Sequence, residues 1–159
     1  MASVNSDLVA NLEASPQVAN KTQELQGVVR IAQGNVALLA ADSPNGDIVM
    51  LAPIPSNASI MSIRVGSDGL GGSCTYDIGI YTDAGAVKDI DFFATSVADG
   101  AAIAELRYEA ADLNTTGQQL YTMAGDTSDP GGFYYIAATF DATGGTGGDM
   151  AFIIEYVVN

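Results

Sequence analysis

Apolar and polar side chains alternate with a period of two along much of this chain, and that alternation predicts strands. Thr75–Tyr81 is the cleanest case, with Tyr76, Ile78 and Ile80 on one side and Thr75, Asp77 and Gly79 on the other. Asp83-Ala84-Gly85 then turns the chain, and Ala86-Val87-Lys88 begins its return as a hairpin. The organising stretch is 47–65, DIVMLAPIPSNASIMSIRV. Ile48 to Leu51 is an apolar run of the length of one buried strand. Pro53-Ile54-Pro55-Ser56-Asn57 then removes two backbone donors and supplies turn formers. Met61, Ile63 and Val65 follow as a core face, with Ser62 and Arg64 turned out. Pro53 belongs at a strand end or edge, since a central ladder position needs its missing N–H.

Further strands are predicted on either side. Val28–Ala41 reads as one long strand or as two, VVRIAQ and NVALLAA, with Gly34 a bulge or bend between them. Ser43-Pro44-Asn45-Gly46 is a turn. Gln119–Met123 reads as a short strand. Phe133–Phe140, FYYIAATF, is apolar on both faces, as a central strand or one under an interface would be. Met150–Val158 closes the chain, with Phe152, Ile154 and Tyr156 sharing a side. The loops at 66–73 and 143–148 are glycine-rich. The first is expected to be a flexible surface loop, the second an exposed tip.

Two segments carry helical spacing. In 99–113, Ile103, Leu106, Ala110 and Leu113 recur at intervals of three and four, with Asp99 as a cap and Gly117 just beyond the end. Near the start, Leu8, Val9 and Leu12 line one face of a short helix opening at Ser6 or Asp7 and closed by Pro16. The run SPQVANKTQELQ after it is polar and aperiodic. Residues 1–27 therefore read as an N-terminal arm ahead of a β domain at 28–159. The arm is either a loose terminus or a segment that orders on a partner. The spaced strands point to an antiparallel β-sandwich and away from a βαβ sheet. A chain of 159 residues suits one such domain.

Nineteen acidic residues against five basic ones leave a net charge of −14. Phosphate backbones and anionic membranes are bound by Lys and Arg, so neither nucleic acid nor a membrane surface is an expected partner. The opening residues lack the basic start and apolar stretch of a signal peptide, and no apolar run reaches the length of a membrane span. Cys74 is the lone cysteine and reads as a small buried hydrophobe.

Catalytic chemistry has little to stand on. Histidine is absent, which removes the usual imidazole base and metal ligand. One cysteine builds no thiolate zinc site, and neither Gly-x-Ser-x-Gly nor Ser-x-x-Lys occurs. Glu105, Glu109 and Glu155 are formal candidates for a glycosidase pair, but Glu105 and Glu109 read more simply as a solvated face. No enzymatic activity and no cofactor are expected. Asp83, Asp89 and Asp91 form the densest acidic group. They are calcium candidates on residue type, although their spacing matches no EF-hand loop; the alternative is solvated acids that keep a strand edge from pairing.

The proline-bracketed strand, its Pro-Ser-Asn-Ala-Ser loop and the apolar strand after it stand between ELQGVVRIAQGNVALLAA and TYDIGIYTDAGAV. Together these resemble small structural proteins of tailed bacteriophages, in particular the head decoration (cement) proteins. The resemblance runs from Glu24 to Val87, with an echo in the last strand. It implies an all-β, antiparallel sandwich of jelly-roll type, made in the host cytoplasm and placed on the outer surface of the virion head. The implied partner is the major capsid protein, and trimers at lattice threefold positions are the implied oligomer. Leu8, Val9, Leu12, Val18 and Leu25 of the arm, with one edge of the sandwich, would then dock on the capsid. The alternative is a glycan-binding receptor or adhesion module of a phage neck, tail or fibre, to which the seven tyrosines could contribute.

Overall fold

The computed structural model describes residues 5–20, 25, 27–71, 73–100, 102–111 and 113–158. Among the described residues eight strands form two four-stranded sheets: β1 (Val29–Leu38), β2 (Ile48–Pro55), β3 (Ala58–Asp68), β4 (Thr75–Tyr81), β5 (Val87–Ala98), β6 (Ala104–Glu105), β7 (Phe133–Ala142) and β8 (Gly148–Val158). One sheet has the order β1-β8-β3-β6 and the other β2-β7-β4-β5. The pairing is nested. First pairs with last (β1 with β8), then β2 with β7, β3 with β6 and β4 with β5, all antiparallel. A long hairpin wrapped into two facing sheets makes this pattern, and it is the jelly roll expected from the resemblance.

The proline corner carries the chain between the sheets. Ser56 and Asn57 alone separate β2 from β3, which lie in opposite sheets. β2 is an edge strand, so Pro53 and Pro55 withhold no hydrogen bond from a neighbour on both sides. Ser56 is held from three directions. Its N–H donates to the Gly132 carbonyl at 3.1 Å, its carbonyl accepts from Tyr121 N–H at 2.9 Å, and its hydroxyl reaches Asp129 at 2.6 Å.

The core fills the space between the sheets. Leu51, Ile54, Ile60, Ile63, Val65, Tyr76, Ile78, Ile80, Ile136, Phe140, Met150 and Ile154 belong to one buried cluster. β7 lies between β2 and β4, and of its outward residues Ala137 and Thr139 are buried, Tyr135 and Asp141 are half-buried and Phe133 is exposed. Ala137 and Thr139 lie on that outer face with Tyr81, whose hydroxyl bonds to Thr139. Cys74 is free and buried, and burial pushes its thiol pKa up, away from reactivity.

Five expectations are corrected. The described residues of 99–113 form no α-helix. Ala104 and Glu105 pair as β6 with Arg64 and Val65 of β3, turns follow, and Leu113–Thr115 is one turn of 3-10 helix. The open ladder of β3 competes for these backbone groups, and of the stripe Leu106 alone is buried: Ile103, Ala110 and Leu113 stay exposed. Gln119–Met123 is not a strand but the site of a one-turn helix at Leu120–Met123, which buries Leu120 and Met123 on one side. Gly34 makes no bulge, because β1 and β8 pair in unbroken register; its missing side chain leaves room for the Phe152 ring. Met61 is 46% exposed, because a bulge between Ile60 and Ser62 makes it the extra residue of β3.

The fifth correction concerns part of the glycine loops: Thr143, Gly145, Thr146 and Gly147 are exposed as a tip should be, but Gly144 and Leu70 are packed in. Leu70 is fully buried, and its carbonyl accepts the N–H groups of Gly145 and Thr146 at 2.9 and 3.0 Å. Gly144 donates to the Ser43 carbonyl at 2.8 Å. A side chain on Gly144 would press on Ser43 and the Leu70 carbonyl, and one on Gly148 would overlap Asp68. These glycines let three loops pack backbone to backbone at one end of the sandwich.

Candidate functional site

Residues 5–20 form a local unit. The first helix spans Asp7–Glu13 behind Ser6, as the apolar face of the arm predicts. The chain after it folds back: Val18 N–H donates to the Asn11 carbonyl at 3.0 Å, Asn11 reaches Asn20 at 2.8 Å, and Asn20 donates to the Leu8 carbonyl at 3.0 Å. Of the expected docking residues, Leu8 is half-buried, and Val9, Val18 and Leu25 are exposed. Leu12 lies in the helix, with its side chain outside the described residues.

The acidic candidates are split. Asp83 sits in the β4–β5 turn beside a shallow cleft of about 290 Å³ that Lys88, Asp126, Phe133 and Tyr134 also line. Asp89 and Asp91 line a different cleft of about 330 Å³ with Phe92, Thr95 and Thr115. Burial raises the Asp89 pKa, and a hydrogen bond shared with the Asp91 side chain adds to it. Among the described residues no group of three or more carboxylate, thiol or imidazole side chains is placed to hold a metal ion.

Beside Asp83, Asp126 is the charged centre. Lys88 donates to it at 2.7 Å and the Tyr134 hydroxyl donates to its other oxygen. The Lys88 bond, then the Tyr134 bond, holds the Asp126 pKa below the usual carboxylate range. Burial and the adjoining Asp126 carboxylate hold Tyr134 far above the usual phenol value. Asp129 is lowered by the Ser56 hydroxyl and then by Gly131 N–H. These bonds fasten the 126–132 loop to the corner and to the β4–β5 hairpin.

Two of the three carboxylates considered for glycoside chemistry, Glu105 and Glu155, are engaged in holding the fold, and Glu109 is exposed. Glu105 accepts from the Ser62 hydroxyl and from the backbone N–H groups of Ile63 and Arg107, both at 3.0 Å. Glu155 pairs with Arg64 across β8 and β3. None of the seven tyrosines is fully exposed: Tyr76, Tyr81 and Tyr134 are buried, and Tyr108, Tyr121, Tyr135 and Tyr156 are half-buried.

Sequence reasoning passed over Arg107, the largest fully buried side chain. Its Nε donates to the Ile60 carbonyl at 3.1 Å, and one terminal nitrogen reaches the Thr115 carbonyl and hydroxyl at 3.2 Å each. The guanidinium also stacks on Phe93 and Tyr108, 5.2 and 4.5 Å from the ring centres. A cation placed inside an otherwise apolar stripe was the signal available.

No protein-family model matches the chain, and no curated protein matches it. Solved structures do. The chain is similar to one in the capsid of Ralstonia phage GP4, at 19% identity and a TM-score of 0.59, over 84% of this chain and 86% of that one. It is also similar to a chain in the capsid asymmetric unit of cyanophage Pam1, at 13% identity and a TM-score of 0.54, over the whole of both chains. At these identities the likeness establishes the fold: this chain has the jelly-roll architecture of chains found in two phage capsids.

Proposed function

We propose that this protein is a virion structural protein that binds the outer surface of a phage capsid and stabilises it as a decoration protein. The observation that carries the reading is the match of the jelly roll to chains of two phage capsids, with 84% and 100% of this chain covered. The material beyond the sandwich is the N-terminal arm, and its exposed Val9, Val18 and Leu25 supply the apolar contacts for attachment. The partner is the major capsid protein.

The mechanism is mechanical. A protein that bridges neighbouring subunits of an assembled shell adds interface that disappears when the shell opens, and binding to one state alone stabilises that state. A net charge of −14 beside packaged DNA is repelled, so the outer face is the favoured side. The test is a cryo-EM map of the particle together with a binding titration on bare capsids. The reading expects density on the outer shell, and loss of binding by a folded variant lacking residues 1–27. Density in the tail, or a glycan-array signal with no capsid binding, overturns it.

A further inference from the structure

A jelly roll leaves four strand edges, and three of these are protected. β2 carries Pro53 and Pro55 and breaks register between Met50 and Ala52. β5 breaks register with β4 at three places, holds Ser96 at a φ of 51°, and bears Lys88, Asp89 and Asp91. β6 is two residues long. Prolines, bulges, charges and shortness are the devices that keep edges from pairing with other chains.

β1 has none of them beyond one charge. Its ten residues pair with β8 in unbroken register from Val29–Val157 to Leu38–Gly148, and they contain no proline. Arg30 is its only charged side chain. Val29 and Ile31 are 53% and 59% exposed, and Val28 and Leu39 at its ends are also exposed. Among the described residues no strand pairs with β1 on its other side.

Charge indicates the occupant. Residues 14–41 hold one acid, Glu24, and two bases, Lys21 and Arg30, while the rest of the chain holds eighteen acids and three bases. A basic partner would be drawn to the acidic faces, and an acid-free edge would gain it nothing. An acid-free edge suits a partner that is itself acidic, and a second copy of this chain is such a partner. No register of β1 against β1 sets one carboxylate opposite another. Among the described residues the other three edges are blocked, so the edge of a second copy open to β1 is its own β1, and such a contact is twofold.

We infer that two copies pair antiparallel through β1, joining their β1-β8-β3-β6 sheets into one continuous sheet. The contact needs no capsid, and it sets a twofold assembly against the threefold one implied by the resemblance. The full chain is examined alone by sedimentation velocity and by hydrogen exchange of the β1 amides. The expected result is a species of twice the 16.3 kDa chain mass, with β1 amides that exchange more slowly as concentration rises. Ile31→Lys weakens the pairing by about tenfold or more, since both copies carry the change. Gln33→Lys, at a second exposed position, acts in the same direction, and both variants keep the circular dichroism of the parent. A trimer, or a monomer at all concentrations with fast-exchanging β1 amides, overturns the inference. So does a monomer whose β1 amides are already slow, because the chain's own arm would then cover the edge.

Discussion

The Arg107 guanidinium donates to the carbonyl of Ile60 at 3.1 Å, at the point where β3 bulges. The bulge takes Met61 out of the β3–β8 ladder, and the long side chain from the β6–β7 connection binds the strand backbone there. The same guanidinium holds Thr115, so one residue ties the irregular segment to the sheet.

Replacing Arg107 with Met therefore removes charged hydrogen bonds and two ring contacts from a site that is 0% exposed. The expected cost is about 3 kcal/mol in denaturant unfolding. Arg107→Lys does not restore it, because an ammonium lacks the planar fork that reaches Ile60 and Thr115 together.

Gly79 tests the fold-over of β5. A methyl group there would overlap the carbonyls of Asp89 and Ile90, which cross the outer face of the sheet at that point. Backbone cannot yield as a flexible side chain does. Gly79→Ala should cost about 3 kcal/mol in the same assay, more than an ordinary strand glycine.

Acid reveals two opposite contributions. The Asp126 pKa is lowered from 3.8 chiefly by Lys88, so its stabilisation is present above 3.8 and fades as pH falls through the lower folded value. The Asp89 pKa is raised from 3.8 by burial, so its contribution is present below 3.8 and is lost as pH rises through the raised folded value. Thermal melts should then show Asp126→Asn lowering Tm at pH 7 and Asp89→Asn raising it. Both differences shrink as the pH is taken below 3.8.

Salt dependence separates the forces of attachment. Copies carrying −14 repel one another at low ionic strength, with a screening length of about 10 Å at 0.1 M. With the arm's uncharged Val and Leu side chains as contact surface, capsid binding should hold or tighten between about 0.05 and 0.5 M sodium chloride. A steep loss with salt would mean that acidic-to-basic pairs carry the attachment. Loss only on adding a chelator would point to an ion at Asp89 and Asp91.

The alternation of apolar and polar residues by itself determined most strands, the hairpin at Asp83–Gly85, the proline corner and the short helix before Pro16. These follow from period and from backbone chemistry, which act over a few residues. Only the tertiary structure decided the rest. The helical stripe at 99–113 gave way because the edge of β3 offers Ala104 and Glu105 a ladder and the fold buries Arg107, contacts to residues about 40 positions distant in sequence. The glycines at 144 and 148 look like loop flexibility until Ser43, Leu70 and Asp68 close on them from elsewhere in the chain. β1 is similar: its apolar residues were legible, but its position at an edge is set by which strands pair, and pairing across more than a hundred residues leaves no mark in local spacing.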